Sequence, residues 1–234
     1  MKSYDPTRPL IGLHIPKCAG TSLKPILYRR FGWRMHWHYF DERHNKMHRR
    51  YQANAINRLL CRLTGRNVCI YGHFNRARNF SVENYYQEVD QFFTFVRDPL
   101  ATILSRYFSA KQQGAHRLRG GTLTPIVARY GSLDEFVADN IHDPYFINYL
   151  PGPMTLDNYA EIFETQFVYV GVAEDLQTSL DRLATRLSFA SVTVPHANRS
   201  LHDETLALAL QSEFVRSRPL EYAIYHYALE HYRL

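Results

Sequence analysis

Cysteine is scarce. The 234 residues hold three, Cys18, Cys61 and Cys69, an odd number in unrelated surroundings. That excludes the disulfide framework of a small secreted scaffold and points to a reducing compartment, by default the cytosol. Long apolar runs are missing too. The longest, Phe167 to Ala173, falls far short of the roughly 20 residues that cross a bilayer. The opening residues, MKSYDPTRP, lack the apolar core of a signal peptide. No transmembrane segment is expected, and peripheral attachment to a membrane through a partner stays open. There is no internal repeat and no low-complexity tract, so solenoids and extended disordered regions are excluded. Zinc-finger spacing, a helix-turn-helix pattern and an RNA-recognition signature are all absent, and nucleic acid is not the expected partner. Acidic residues are outnumbered, 22 against 28 Lys and Arg, for a net charge of +6. Clusters at Arg29/Arg30/Arg34, His48/Arg49/Arg50, Arg76/Arg78 and Arg117/Arg119 suit an anionic cofactor and acceptor, or equally a solvated surface.

What is present is a globular composition, 45% hydrophobic with 14% aromatic. A chain of this length buries roughly 70% of its unfolded surface. No linker divides it, so residues 1–9 read as a lead and 10–234 as one domain. Short apolar runs at Leu10–Ile15, Val68–Tyr71, Phe92–Val96 and Phe167–Val172 read as strands, and their lack of alternation implies a sheet covered on both faces. Helical periodicity lies between and after them, at Thr21–Phe31, Tyr51–Leu63, Pro99–Lys111 and in three later stretches beginning near Leu176, Leu206 and Tyr222. Strands alternating with helices predict an α/β fold: a three-layer sandwich with a mainly parallel central sheet flanked by helices. Gln113–Pro125 and Asn148–Thr155 break the pattern and read as loops over a site.

Two junctions carry the chemistry. In Ile15-Pro16-Lys17-Cys18-Ala19-Gly20-Thr21-Ser22, proline ends a strand, small residues let a ligand approach the backbone, and Thr21 or Ser22 opens a helix. Such a turn aims successive N–H groups at a phosphate-like anion, with Lys17 at its rim. An ordinary strand-turn-helix corner has the same pattern. It is not a Walker A loop, because the lysine precedes Gly20 instead of following it. A cysteine phosphatase would need Cys18 as nucleophile and an arginine where Lys24 stands, so Cys18 reads as a packing residue. At the second junction Arg97 follows an apolar strand, Asp98 caps the next helix, Pro99 suits its first turn and Ser105 lies two turns on. Arg97 offers a rigid fork for phosphate oxygens, or simply pairs with a carboxylate. Two anion-holding corners suggest one ligand with phosphates at both ends.

His73 follows the strand ending at Tyr71. Carboxyl ends of parallel strands line the ligand crevice, so His73 should face Lys17 and Arg97 and is placed to take a proton from a hydroxyl, unless it is a buried core histidine. His36, His38, His44 and His48 include metal-like spacings, but no acidic or cysteine set completes them and no metal is expected.

Together, IPKCAGTSL, YGHF, FTFVRDPLATILSRY, FVYVGVAEDLQTSLDRL and HANRS resemble the sulfotransferases that use 3′-phosphoadenosine 5′-phosphosulfate, particularly the branch with carbohydrate 2-O-sulfotransferases and their bacterial relatives. The resemblance spans about residues 10 to 232 and implies that the three-layer sandwich is P-loop-like. It implies that Lys17, Cys18, Ala19, Gly20, Thr21 and Ser22 hold the 5′-phosphosulfate, that Arg97 and Ser105 take the 3′-phosphate, and that the Asn198-Arg199-Ser200 loop closes over the nucleotide. It makes His73 the base and Lys17 the cation on the leaving side, with adenosine 3′,5′-bisphosphate as product and no metal. The acceptor is a hydroxyl, by resemblance that of a glycan, with Arg76, Arg78, Lys111 and His116 on its side and Tyr145 and Tyr149 as stacking surfaces or simply as packing. A nucleotide-dependent phosphotransferase and a non-catalytic module for nucleotides or polyanions are the alternatives.

Overall fold

The computed structural model describes residues 1–41, 46–47, 50–52, 59, 61, 63–65, 67–117, 129–194 and 205–234, with residues 41, 46–47 and 113–117 described by backbone alone. Its centre is a five-stranded parallel sheet of β1 (Leu10–Leu13), β2 (Met35–His38), β5 (Cys69–Gly72), β6 (Phe92–Val96) and β7 (Phe167–Val172), in the order β2-β5-β1-β6-β7. Two short strands, β3 (Phe40–Asp41) and β4 (Lys46–Met47), pair apart from it.

Four of the five central strands are the apolar runs read from the sequence, and they are buried throughout. Side chains alternate across the sheet into two cores. Leu10, Tyr71, Phe93 and Tyr169 pack with Leu23, Leu27, Leu180 and Leu183, which come from helices α1 (Gly20–Phe31) and α6 (Leu176–Arg186). Ile11, Ile70, Phe92 and Val170 face the other way. There they meet α3 (Pro99–Arg117), α4 (Leu133–Asp139), α5 (Tyr159–Gln166), α7 (Leu208–Ser217) and α8 (Pro219–His231). One further short helix, α2 (Val82–Tyr85), follows β5. The expected three-layer α/β sandwich is therefore what the chain forms.

Three readings are corrected. Met35–His38, not read as a strand, forms the sheet edge: His38 is buried, its ring stacked on Phe74 at 4.5 Å and 8° and edge-on to Tyr85, while His44 and His48 lie outside the described residues. The helix from Pro99 runs on to Arg117, so residues 113–117 are helical instead of loop. Asn148–Thr155 begins inside a 3-10 turn, Phe146–Tyr149, before the Pro151-Gly152-Pro153 bend. The expected helix at Tyr51–Leu63 lies largely outside the described residues.

Topology fixes the cleft. From β1 the chain crosses through α1 to the β2 side of the sheet, and β6 and β7 are laid down on the opposite side. The switch falls between β1 and β6, and ligands of open α/β sheets bind outside the carboxyl ends of the strands at that point. Among the described residues no helix is long and apolar enough to cross a membrane.

Candidate active site

Lys17, His73 and Arg97 sit just past the carboxyl ends of the adjacent strands β1, β5 and β6, so the sheet brings together the three groups that the sequence reading singled out. Lys17 and Ala19 both have left-handed backbone, with φ of 72° and 61°, and α1 begins at Gly20. Non-glycine residues adopt that conformation at a cost, and alternating it with right-handed turns curls the N–H groups into a concavity. Ser22 and Leu23 donate to the carbonyl of Ala19. Among the described hydrogen bonds none uses the N–H of Ala19, Gly20 or Thr21, so these are the donors left for an anion. The helix is opened by the twist at Ala19, not by a Thr21 or Ser22 side-chain cap as expected.

Burial, and then the neighbouring Arg97 guanidinium, lower the pKa of the Lys17 ammonium. The two cations therefore lie within electrostatic reach of each other. Asp98 behaves as read: its carboxylate accepts from the N–H of Ala101 at 2.7 Å and starts α3 at Pro99. Ser105 is half-buried on the same helix. Cys18 is buried, with Sγ 3.9 Å from Thr102 Oγ1, and burial pushes its thiol up to about 12. Such a thiol is not a nucleophile. Iodoacetamide is expected to leave Cys18 unmodified in the native protein, as read by peptide mass spectrometry; rapid alkylation would reopen the phosphatase reading.

The histidine that sequence reasoning overlooked is His14. Leu13 pairs with Gly72 in parallel register, so the next residues, His14 and His73, emerge side by side and stack at 4.3 Å and 22°. His14 also stacks on Tyr71 at 5.2 Å, and Tyr71 lies against Phe93 at 6.2 Å. Gly12 makes room for that ring column, since a Cβ there would meet both Tyr71 and Phe93 at 2.4 Å. The other edge of His14 faces the anion loop: a Cβ on Gly20 would lie 1.7 Å from its Nε2. Gly20 thus makes room for a histidine ring. Nδ1 of His14 is 3.0 Å from the Tyr39 hydroxyl.

His73 is half-buried, with Nδ1 2.8 Å from the carbonyl of His14. A carbonyl only accepts, so Nδ1 carries the proton and Nε2 keeps its lone pair. Burial lowers the His73 pKa to about 4, which leaves the ring neutral at physiological pH. Tyr39 and Tyr149 meet the ring edge-on at 4.8 and 5.8 Å, and Lys24 lies 4.1 Å over the Tyr39 ring. The Tyr149 side is held from behind. Glu221 Oε1 accepts from the backbone N–H groups of Tyr145 and Phe146, and its other oxygen meets Arg218 at 2.6 Å in a buried pair.

The residues expected on the acceptor side divide. Arg78 stacks over Phe40 at 5.3 Å, and its charge is felt at Tyr149. Arg76 is instead paired with Glu83 at 2.9 Å, and Glu83 accepts from Gly152 N, so the two clamp the Pro-Gly-Pro bend. Lys111 is exposed and about 18 Å along α3 from Pro99, at 1.5 Å per residue, away from the cleft. The side chain of His116 and the whole Asn198-Arg199-Ser200 segment lie outside the described residues.

The family model described as the sulfotransferase family matches residues 3–221. None of the curated proteins matches the sequence. Among solved structures, a mouse sulfotransferase, SULT7A1, complexed with PAP, is similar at 11% identity and a TM-score of 0.47 over 90% of this chain, which spans 64% of that protein.

Proposed function

The chain belongs to the sulfotransferase family, and from that premise we propose that it moves a sulfuryl group from 3′-phosphoadenosine 5′-phosphosulfate to an acceptor hydroxyl, with His73 as the base. The observation that carries this reading is the tautomer of His73. Its Nδ1–H is committed to the His14 carbonyl, and the free Nε2 shares a cleft with the cation-bearing loop. The residues fit such a donor: Ala19, Gly20 and Thr21 offer unspent N–H groups, and Lys17 and Arg97 repel each other unless an anion joins them.

Lys17 and the loop amides would hold the phosphosulfate end, and Arg97 with Ser105 the 3′-phosphate. The donor supplies the sulfuryl group, and adenosine 3′,5′-bisphosphate is the product. His73 Nε2 takes the proton of the acceptor hydroxyl, while Lys17 meets the negative charge that develops on the leaving side. A carbohydrate acceptor is favoured by the two tyrosine edges around His73 and by Arg78 beyond them.

Calorimetric titration with adenosine 3′,5′-bisphosphate, against 5′-AMP and ATP with magnesium, tests the donor. Binding is expected to depend on the 3′-phosphate. Arg97→Ala should weaken it about ten- to a hundredfold, the range for losing a charge-assisted hydrogen bond. Equal binding of ATP would instead favour phosphoryl transfer.

A further inference from the structure

A second cavity opens at the amino edge of the sheet, opposite the strand ends that carry Lys17, His73 and Arg97. Its walls come from residues just before β1, β2 and β5 and from the last turn of α6. Its volume is about 830 Å³, and Arg30, Arg34 and Arg186 line it together with Ser3, Thr185 and Ser188.

Arg30 lies in the last turn of α1, Arg34 just beyond it, and Arg186 in the last turn of α6. The negative end of a helix attracts cations, which accounts for an arginine at each end. It does not account for three in one cavity. Two helix ends supply about half a negative charge each, and no Asp or Glu side chain is among the described lining residues. Among the described groups an excess of about two positive charges remains. A carboxylate at Leu234, which also borders the cavity, would still leave the balance positive.

Arg30 carries a buried donor that is left unmet among the described residues. It makes one long contact, Nη2 to the Leu187 carbonyl at 3.4 Å, and lies over the Phe31 and Phe189 rings at 5.8 and 5.6 Å. Its Nε is buried and has no hydrogen-bond partner among the described residues. Buried donors normally find an acceptor, and an arginine fork is shaped for an oxyanion. A tetrahedral anion alone would leave most of this volume open, whereas small-molecule sites occupy roughly 300–1,000 Å³. The hydroxyls of Ser3, Thr185 and Ser188 suit a polar remainder rich in hydroxyl groups.

We propose that this cavity binds a small polyhydroxylated monoester of phosphate or sulfate, with the oxyanion against Arg30 and Arg186 and the hydroxyl groups toward the serine and threonine wall. The site owes nothing to the transfer cleft, and its test is separable from that of the donor.

Lys17→Ala/Arg97→Ala protein, stripped of the cleft cations, is titrated by calorimetry with inorganic phosphate, glucose, glucose 6-phosphate and glucose 6-sulfate. At least one ester is expected to bind about tenfold tighter than inorganic phosphate, and glucose not at all. Whichever ester binds more tightly identifies the anion. Adding Arg30→Gln and Arg186→Gln should weaken binding about tenfold or more, with the melting temperature of the protein followed in parallel. If the combined variant unfolds, Arg186→Gln alone carries the test, because that residue is half-exposed and no side-chain hydrogen bond ties it to the other described residues. Inorganic phosphate binding as tightly as the esters would mean an adventitious ion only. That result, the absence of ester binding, or binding unchanged by the arginine substitutions would overturn the proposal.

Discussion

Replacing His73 with alanine is expected to cut turnover by about 10²–10⁴-fold, the usual worth of a positioned general base, while the affinity for adenosine 3′,5′-bisphosphate stays unchanged. The split follows from the proposed role: the ring is tied through Nδ1 to a backbone carbonyl and keeps Nε2 for the acceptor, so its removal would take away the proton acceptor and leave the anion loop intact. The pH profile gives a second readout. Burial lowers the His73 pKa to about 4, so the neutral, proton-accepting form persists at every pH above that. kcat/KM reports the free enzyme and should stay level down to about pH 5, where an exposed imidazole would already bend the curve near 6.5. With an anionic donor bound the charged ring gains a partner, which raises its pKa, so the acid limb of kcat should lie at higher pH than that of kcat/KM. Undiminished turnover in the alanine variant would remove His73 from the mechanism.

Lys17→Ala should lower kcat by about 10²–10³-fold, as expected for removing a group aimed at developing charge. Lys17 is held there by a left-handed backbone, and its charge is disfavoured by burial and by Arg97. Those unfavourable terms are relieved when negative charge arrives, and most of all as it accumulates on the leaving side. The decisive comparison is kcat against the donor KM in steady-state sulfuryl transfer. A rise in KM alone, with kcat intact, would mean that Lys17 only binds the donor.

The parts of this molecule that could be read from the sequence are those where one force dominates. β1, β5, β6 and β7 are buried on both faces, so their apolar runs stand out, and sheet topology then aligns Lys17, His73 and Arg97 without any further signal. β2 was hidden because its histidines imitate metal ligands while in fact serving as flat packing surfaces, His38 on Phe74 above all. Residues 113–117 were hidden by Gly114, a poor helix former overridden by a helix already sixteen residues long at that point. Arg76 could not be assigned, because its partner Glu83 lies on a different element and only the fold brings them together. His14 left one usable trace: a polar residue at the carboxyl end of an otherwise apolar strand, where parallel sheets place their ligands.

The contact between His14 and Gly20 also bears on how such a site can diverge. A larger residue at position 20 fits only if position 14 gives up its ring, and losing that ring removes the surface on which His73 rests. Positions 14, 20 and 73 are therefore one unit of inheritance. A side chain at position 20 is tolerated only after the ring at position 14 is gone, and sequences descended from this one should lose the glycine only together with that ring.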